Sequence, residues 1–196
     1  MSARSSSGET GFSLVEVMLA TALMAVALIS LAQLFALSTQ ANGAARTSTF
    51  AAILAEQKME QLKGLTWGFD TLNLPMSDLT TNVAAFEATG ACAATATGAG
   101  RGLSPSPAGT LTQNVDGYVD YVDENGCGLG GGSTLPAATV YIRRWSVEPL
   151  PTNPNNTVIL QVLVTRRDDR GAANAGSVLR LPDEARLIGV KTRKTS

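Results

Sequence analysis

Few side chains in this 196-residue chain could do chemistry, and the first that matters is Glu16. It is the one charge in a stretch of 26 residues, Phe12 to Leu37 (FSLVEVMLATALMAVALISLAQLFAL). A carboxylate inside an apolar helix costs roughly 2.5–3.5 kcal/mol on membrane-insertion scales, so it calls for a partner. Just before it lies a sharp junction between the polar, Ser-rich MSARSSSGETG of residues 1–11 and the apolar run. Gly11 sits at that junction, and a residue without a Cβ can hold an extended, accessible peptide bond. Cys92 and Cys127 are the only thiols. In an oxidising compartment they are expected to pair, closing a loop of about 36 residues worth roughly 3–4 kcal/mol in the chain-entropy account. Asp116, Asp120 and Asp123, with Asn125, bring oxygen ligands close together in sequence. They are weak calcium candidates. The order DYVDENG lacks the ligand spacing and closing Glu of an EF-hand, so a hairpin turn with solvated acids is the expectation.

What is missing narrows the function classes. Histidine is absent, which removes Ser-His and Cys-His nucleophile pairs, His metal ligands and His proton shuttles. The expectation is a non-enzyme without a cofactor. A net charge of −1 gives no basic footprint for nucleic acid. The cations Arg166, Arg167, Arg186, Lys191, Arg193 and Lys194 read as a solvated edge, and nucleic acid is not an expected partner.

The hexapeptide Gly11-Phe12-Ser13-Leu14-Val15-Glu16 resembles the prepilin signature of type IV pilins and type II secretion pseudopilins. The resemblance implies that a prepilin peptidase cuts between Gly11 and Phe12 and that the new N-terminal Phe12 is N-methylated. Glu16 becomes the fifth residue of the mature chain. Its implied partner is the cationic amine of Phe12 on a neighbouring subunit, a pairing that sets assembly register. The segment AAILAEQKMEQLKGL (51–65) is also similar to minor pilins of the PilV type and to the pseudopilin I class. The likeness covers residues 8–65 and is architectural beyond them. Many major pilins carry a Pro in this helix, whereas here no Pro precedes Pro75.

These residues need a frame to position them. The apolar run is long enough to span a bilayer as a helix, and its order of parts is not that of an ordinary secretory signal. Interleaved Ala20, Ala22, Ala25, Ala27, Ser30 and Ala32 permit close helix packing. In the continuation, Phe50, Ile53, Leu54, Leu62 and Leu65 fall on one half of a helical wheel. Glu56, Lys58, Glu60 and Lys63 fall largely off it, and Gly64 is a helix stop. One helix from Phe12 to Lys63 would be about 80 Å long at the usual rise. Residues 66–115 read as loop-rich. Strands are expected at Gly117–Asp123, Thr139–Glu148, Thr157–Arg166 (apolar on both faces, hence central) and Ala185–Lys191. Turn signals stand at Asn125-Gly126, Gly130–Gly132 and Pro149–Asn156.

The expected architecture is α+β and pilin-like: a long N-terminal helix, half membrane and half amphipathic, packed on a small antiparallel sheet of about four strands. Its parts would be a leader (1–11), a transmembrane and assembly helix (12–37), an amphipathic half (38–65) and a head (66–196). The resemblance implies a minor pilin built into a type IV pilus through its helix. The alternatives are a type II secretion pseudopilin and a membrane-anchored periplasmic binding domain. The implied partners are prepilin peptidase, other pilins or pseudopilins, and the bacterial inner membrane before assembly. There the N-terminus would be cytoplasmic and the head outside. The assembled chain would belong to a pilus at the cell surface or to a periplasmic pseudopilus.

Overall fold

A computed structural model describes residues 11–77, 92, 100–167 and 184–193. The expected leader, apart from Gly11, and Lys194 of the basic tail lie outside the described residues. The chain divides into two units, Met1–Gly43 and Ala44–Ser196. One α-helix, α1 (Leu14–Gly64, 51 residues), begins in the first and continues into the second.

Strong helix formers, chiefly Ala, Leu and Met, fill the first part of α1. Its first turn opens with Glu16 N–H and Val17 N–H donating to the Ser13 carbonyl at 3.0 and 3.2 Å. Hydroxyls that would otherwise be unpaired along the apolar stretch donate back to carbonyls one turn earlier. Thr21 bonds Val17 O at 2.9 Å, Ser30 bonds Val26 O at 2.9 Å and Thr39 bonds Phe35 O at 2.9 Å. Side chains 11–46 are exposed. Among the described residues α1 is the one helix long and apolar enough to cross a membrane, judged by length and composition.

In the second unit, α1 from Ala44 onward packs on an antiparallel sheet, an α+β, pilin-like arrangement. A short hairpin pairs β1 (Trp67–Phe69) with β2 (Pro75–Ser77). The main sheet holds β3 (Val119–Val122), β4 (Gly128–Gly131), β5 (Tyr141–Pro149), β6 (Thr157–Arg166) and β7 (Glu184–Thr192). Its order is β4-β3-β5-β6-β7 with every neighbouring pair antiparallel. Period-two alternation places Trp145 and Val147 of β5 and Val158, Leu160, Val162 and Val164 of β6 on the inner face. There they meet Ala51, Leu54, Ala55, Met59 and Leu62 of α1 in one buried core.

Four expectations are corrected. The main sheet has five strands rather than about four, and residues 66–115 contain the β1–β2 hairpin. Strand β4 runs through glycines read above as a turn signal. Gly131 approaches β3 so closely that an added Cβ would sit 2.6 Å from the Val119 carbonyl oxygen, so only glycine lets this strand pair. The middle position belongs to β5, and β6 stands one place from the edge. Its outward residues Ile159, Gln161, Leu163 and Thr165 are accordingly half-buried rather than core.

Candidate functional site

The N-terminal motif occupies the start of α1. Gly11 and Phe12 precede the helix, and Phe12 is 83% exposed. A Cβ added at Gly11 would meet nothing within 4 Å, so packing does not demand glycine there. Glu16 lies in the first turn, where a carboxylate complements the positive end of the helix dipole. Phe12, Glu16, Val17, Ala20, Thr21 and Met24 line one groove along α1, so the carboxylate adjoins an apolar stripe containing small residues. That arrangement can seat a cation or amine beside an apolar helix face, but it contains no nucleophile or acid–base pair.

A second polar constellation lies in the head core, and here the structure departs most from expectation. Lys58 is fully buried, although its charge suggested the solvated side of the helix. Its position explains this: Leu54 and Leu62 stand four residues to either side, so all three share the inward row. Asp120 is 2% exposed on the inner face of β3. Lys58 Nζ donates to Asp120 Oδ2 at 3.0 Å. Arg143 of β5 donates from Nε to Oδ1 at 2.6 Å and from Nη2 to Oδ2 at 3.1 Å. Arg143 Nη1 also reaches Gln57 Oε1 at 3.1 Å. Lys58 Nζ lies 3.8 Å from the Trp145 ring centroid, a cation–π contact inside the core. Burial works to raise the Asp120 pKa, but the charges of Arg143 and Lys58 and their hydrogen bonds outweigh it and hold the carboxyl below its usual value.

Two of the weak calcium candidates have partners within the protein. Both oxygens of Asp120 are engaged by cations. Asp123 Oδ1 accepts from the backbone of Asn125 at 2.9 Å and Cys127 at 2.8 Å, closing the β3–β4 turn. Among the described residues Asp116, Asp120 and Asp123 form no metal-binding group. The expectation of solvated acids therefore fails for Asp120, while the hairpin at Asn125-Gly126 is present. Cys92 and Cys127 form a disulfide with Cα atoms 5.3 Å apart.

The cations expected at a solvated edge have intramolecular work. Lys191 Nζ donates to the carbonyls of Lys63 and Leu65, capping the C-terminal end of α1. Arg193 lies over Trp67 and Phe69, at 4.9 and 5.1 Å from their ring centroids. Arg167 Nη1 donates to the Ala137 carbonyl at 2.8 Å, and Arg186 donates to Gln161. Sequence reasoning missed Lys58, Arg143 and Lys191 as structural residues. The signal for Lys58 was its Leu neighbours at i±4. Arg143 and Lys191 gave none, because strand alternation alone does not say which face is covered.

No family model, characterised protein or solved structure matches this chain.

Proposed function

We propose that this protein is a minor pilin, processed by prepilin peptidase at Gly11–Phe12 and assembled through α1 into a type IV pilus or related filament. The observation that carries the reading is the placement of Gly11, Phe12 and Glu16 at the start of a helix that is apolar over its first part and continues into the head. A peptidase site must be accessible, and Gly11 and Phe12 are exposed. An unpaired intramembrane carboxylate must find a cation. The methylated amine at Phe12 of a neighbouring subunit is that cation in the proposal, and the Ala-rich helix lets neighbours approach closely. The head carries no assigned chemistry in this scheme. It serves the filament by being held outside the membrane, where its disulfide would be stable.

N-terminal sequencing and mass measurement of the mature protein test the proposal. The expected chain starts at methylated Phe12. A mature chain starting at Met1 or Ser2 overturns processing, and with it the filament role. Deletion of the protein then separates pilus from secretion system: loss of surface filaments or twitching supports the minor pilin, and loss of protein export supports a pseudopilin.

A further inference from the structure

We infer that Lys58, Asp120 and Arg143 are positioning residues that fix the axial register of α1 on the sheet. Past the first turn of the contact, from Leu54 on, apolar packing between helix and sheet discriminates poorly between registers. Phe50, Leu54, Lys58 and Leu62 form one row at four-residue spacing, and Ala51, Ala55 and Met59 form the next. Consider α1 displaced by four residues toward its C-terminus, about 6 Å at 1.5 Å per residue, with its last turn unwinding. Phe50 then takes the place of Leu54, and Ala51 that of Ala55. At these two places apolar replaces apolar, and hydrophobic burial, being non-directional, penalises that little. At the start of the rows Arg46 would enter the place of Phe50 beside Tyr141, and Thr47 the fully buried place of Ala51, which opposes the shift. Sizes change too: Phe50 is larger than Leu54, and Ala55 is smaller than Met59, which sits over Gly189, where an added Cβ would be 3.0 Å from Met59 Sδ.

The ionic cluster changes that balance. In the displaced register Leu54 faces Asp120, and Lys58 enters the wholly apolar place of Leu62. The carboxylate loses one of its two cationic partners, and an ammonium is buried among apolar side chains, both costly. Buried polar groups that specify register are the best-attested use of such clusters. Three elements meet at this point: α1 through Lys58, β3 through Asp120 and β5 through Arg143. The cluster therefore reports whether one particular helical residue is opposite one particular strand residue.

The test places spin labels at Glu56→Cys and Asn125→Cys, both exposed in the native protein. It measures their separation in the full chain in detergent under non-reducing conditions. Asn125 adjoins Gly126, whose added Cβ would lie 3.4 Å from the Phe50 ring, so the pair reports motion along α1. Both variants carry Arg46→Phe/Thr47→Ala, which removes the penalty at the start of the rows, and the first also replaces the cluster by apolar residues, Lys58→Met/Asp120→Leu/Arg143→Met. It is expected to fold and to show a second population with a longer separation, by up to about 6 Å. The second variant, Leu54→Lys/Ala55→Met/Lys58→Leu, moves the lysine one turn and fills the Met59 place. It is expected to shift wholly to the longer separation. A single native separation in the apolar variant overturns the inference. So does an apolar variant that fails to fold, because the cluster would then be needed for stability rather than register. These distances do not depend on processing at Gly11, so failure here is distinguishable from failure of the pilin reading.

Discussion

Replacing Asp120 by Ala removes the carboxylate that Lys58 and Arg143 share in a site 0–2% exposed. Deleting one member of a buried ionic cluster costs about 3–5 kcal/mol, because the charges left behind remain desolvated. The two remaining cations, drawn together by Asp120, would also repel each other. For a cooperative unit the size of Ala44–Ser196, each kcal/mol corresponds to about 2–4 °C in Tm, so the expected fall is about 6–20 °C. Near-ultraviolet circular dichroism reads this directly, since Trp145 borders the cluster and its signal reports core packing. The exposed pair Lys63–Glu60 provides the control. Its side chains are 45% and 64% exposed, and a surface pair of this kind is worth about 0–1 kcal/mol. Glu60→Ala should therefore move Tm by no more than about 4 °C. If Asp120→Ala shifts Tm no further than Glu60→Ala, the cluster is not the electrostatic centre argued above.

Acid should act through the same carboxyl. Its folded pKa lies below the unfolded value, so its stabilisation is present above the unfolded pKa of about 4 and is lost as pH falls through the lower folded value. Chemical denaturation across that window should show a steeper loss in the native protein than in Asp120→Asn; equal slopes would contradict the assignment. Gly131→Ala should destabilise the head by about 1–3 kcal/mol, since its Cβ must displace the β3 backbone. Gly11→Ala should leave the denaturation midpoint unchanged while slowing removal of the leader, followed by mass spectrometry of whole cells. Reduction of Cys92–Cys127 should lower stability by about 3–4 kcal/mol, measured as the urea midpoint with and without reductant. Glu16→Ala should be cleaved normally yet enter filaments poorly; incorporation at the native level in sheared fractions would refute the role given to this carboxylate.

The frame was legible because its signals are local. A run without charge apart from Glu16, continued by an amphipathic segment, specifies a helix whatever surrounds it, and α1 ends at Gly64 as expected. The Thr157–Arg166 strand is legible to the residue because β-branched and apolar residues fill it apart from Gln161 and the terminal Arg166. β4 was hidden because GLGG carries turn chemistry. Its pairing is decided by the approach of another strand's carbonyl, which no window of sequence contains.

The ionic core was hidden for a related reason. Reading charge as exposure treats each residue alone, whereas Lys58 is buried because the helix gives it no other direction. With Leu54 and Leu62 above and below it, exposing Lys58 would expose both leucines, each 3% exposed or less in the fold. At about 1.5–3 kcal/mol for each side chain, that loss rivals the cost of a paired buried ammonium. Asp120 supplies the pairing from a strand 62 residues further along the chain, Arg143 holds the same carboxylate from a strand 85 residues along, and Trp145 supplies an aromatic face. A lysine in the middle of an apolar helical row is therefore a demand for a distant carboxylate. In this chain Asp120, itself inside the apolar strand pattern Val119–Val122, makes the complementary demand. Two charges, each wrong for its own surroundings and opposite in sign, were the sequence's statement of how helix and sheet meet.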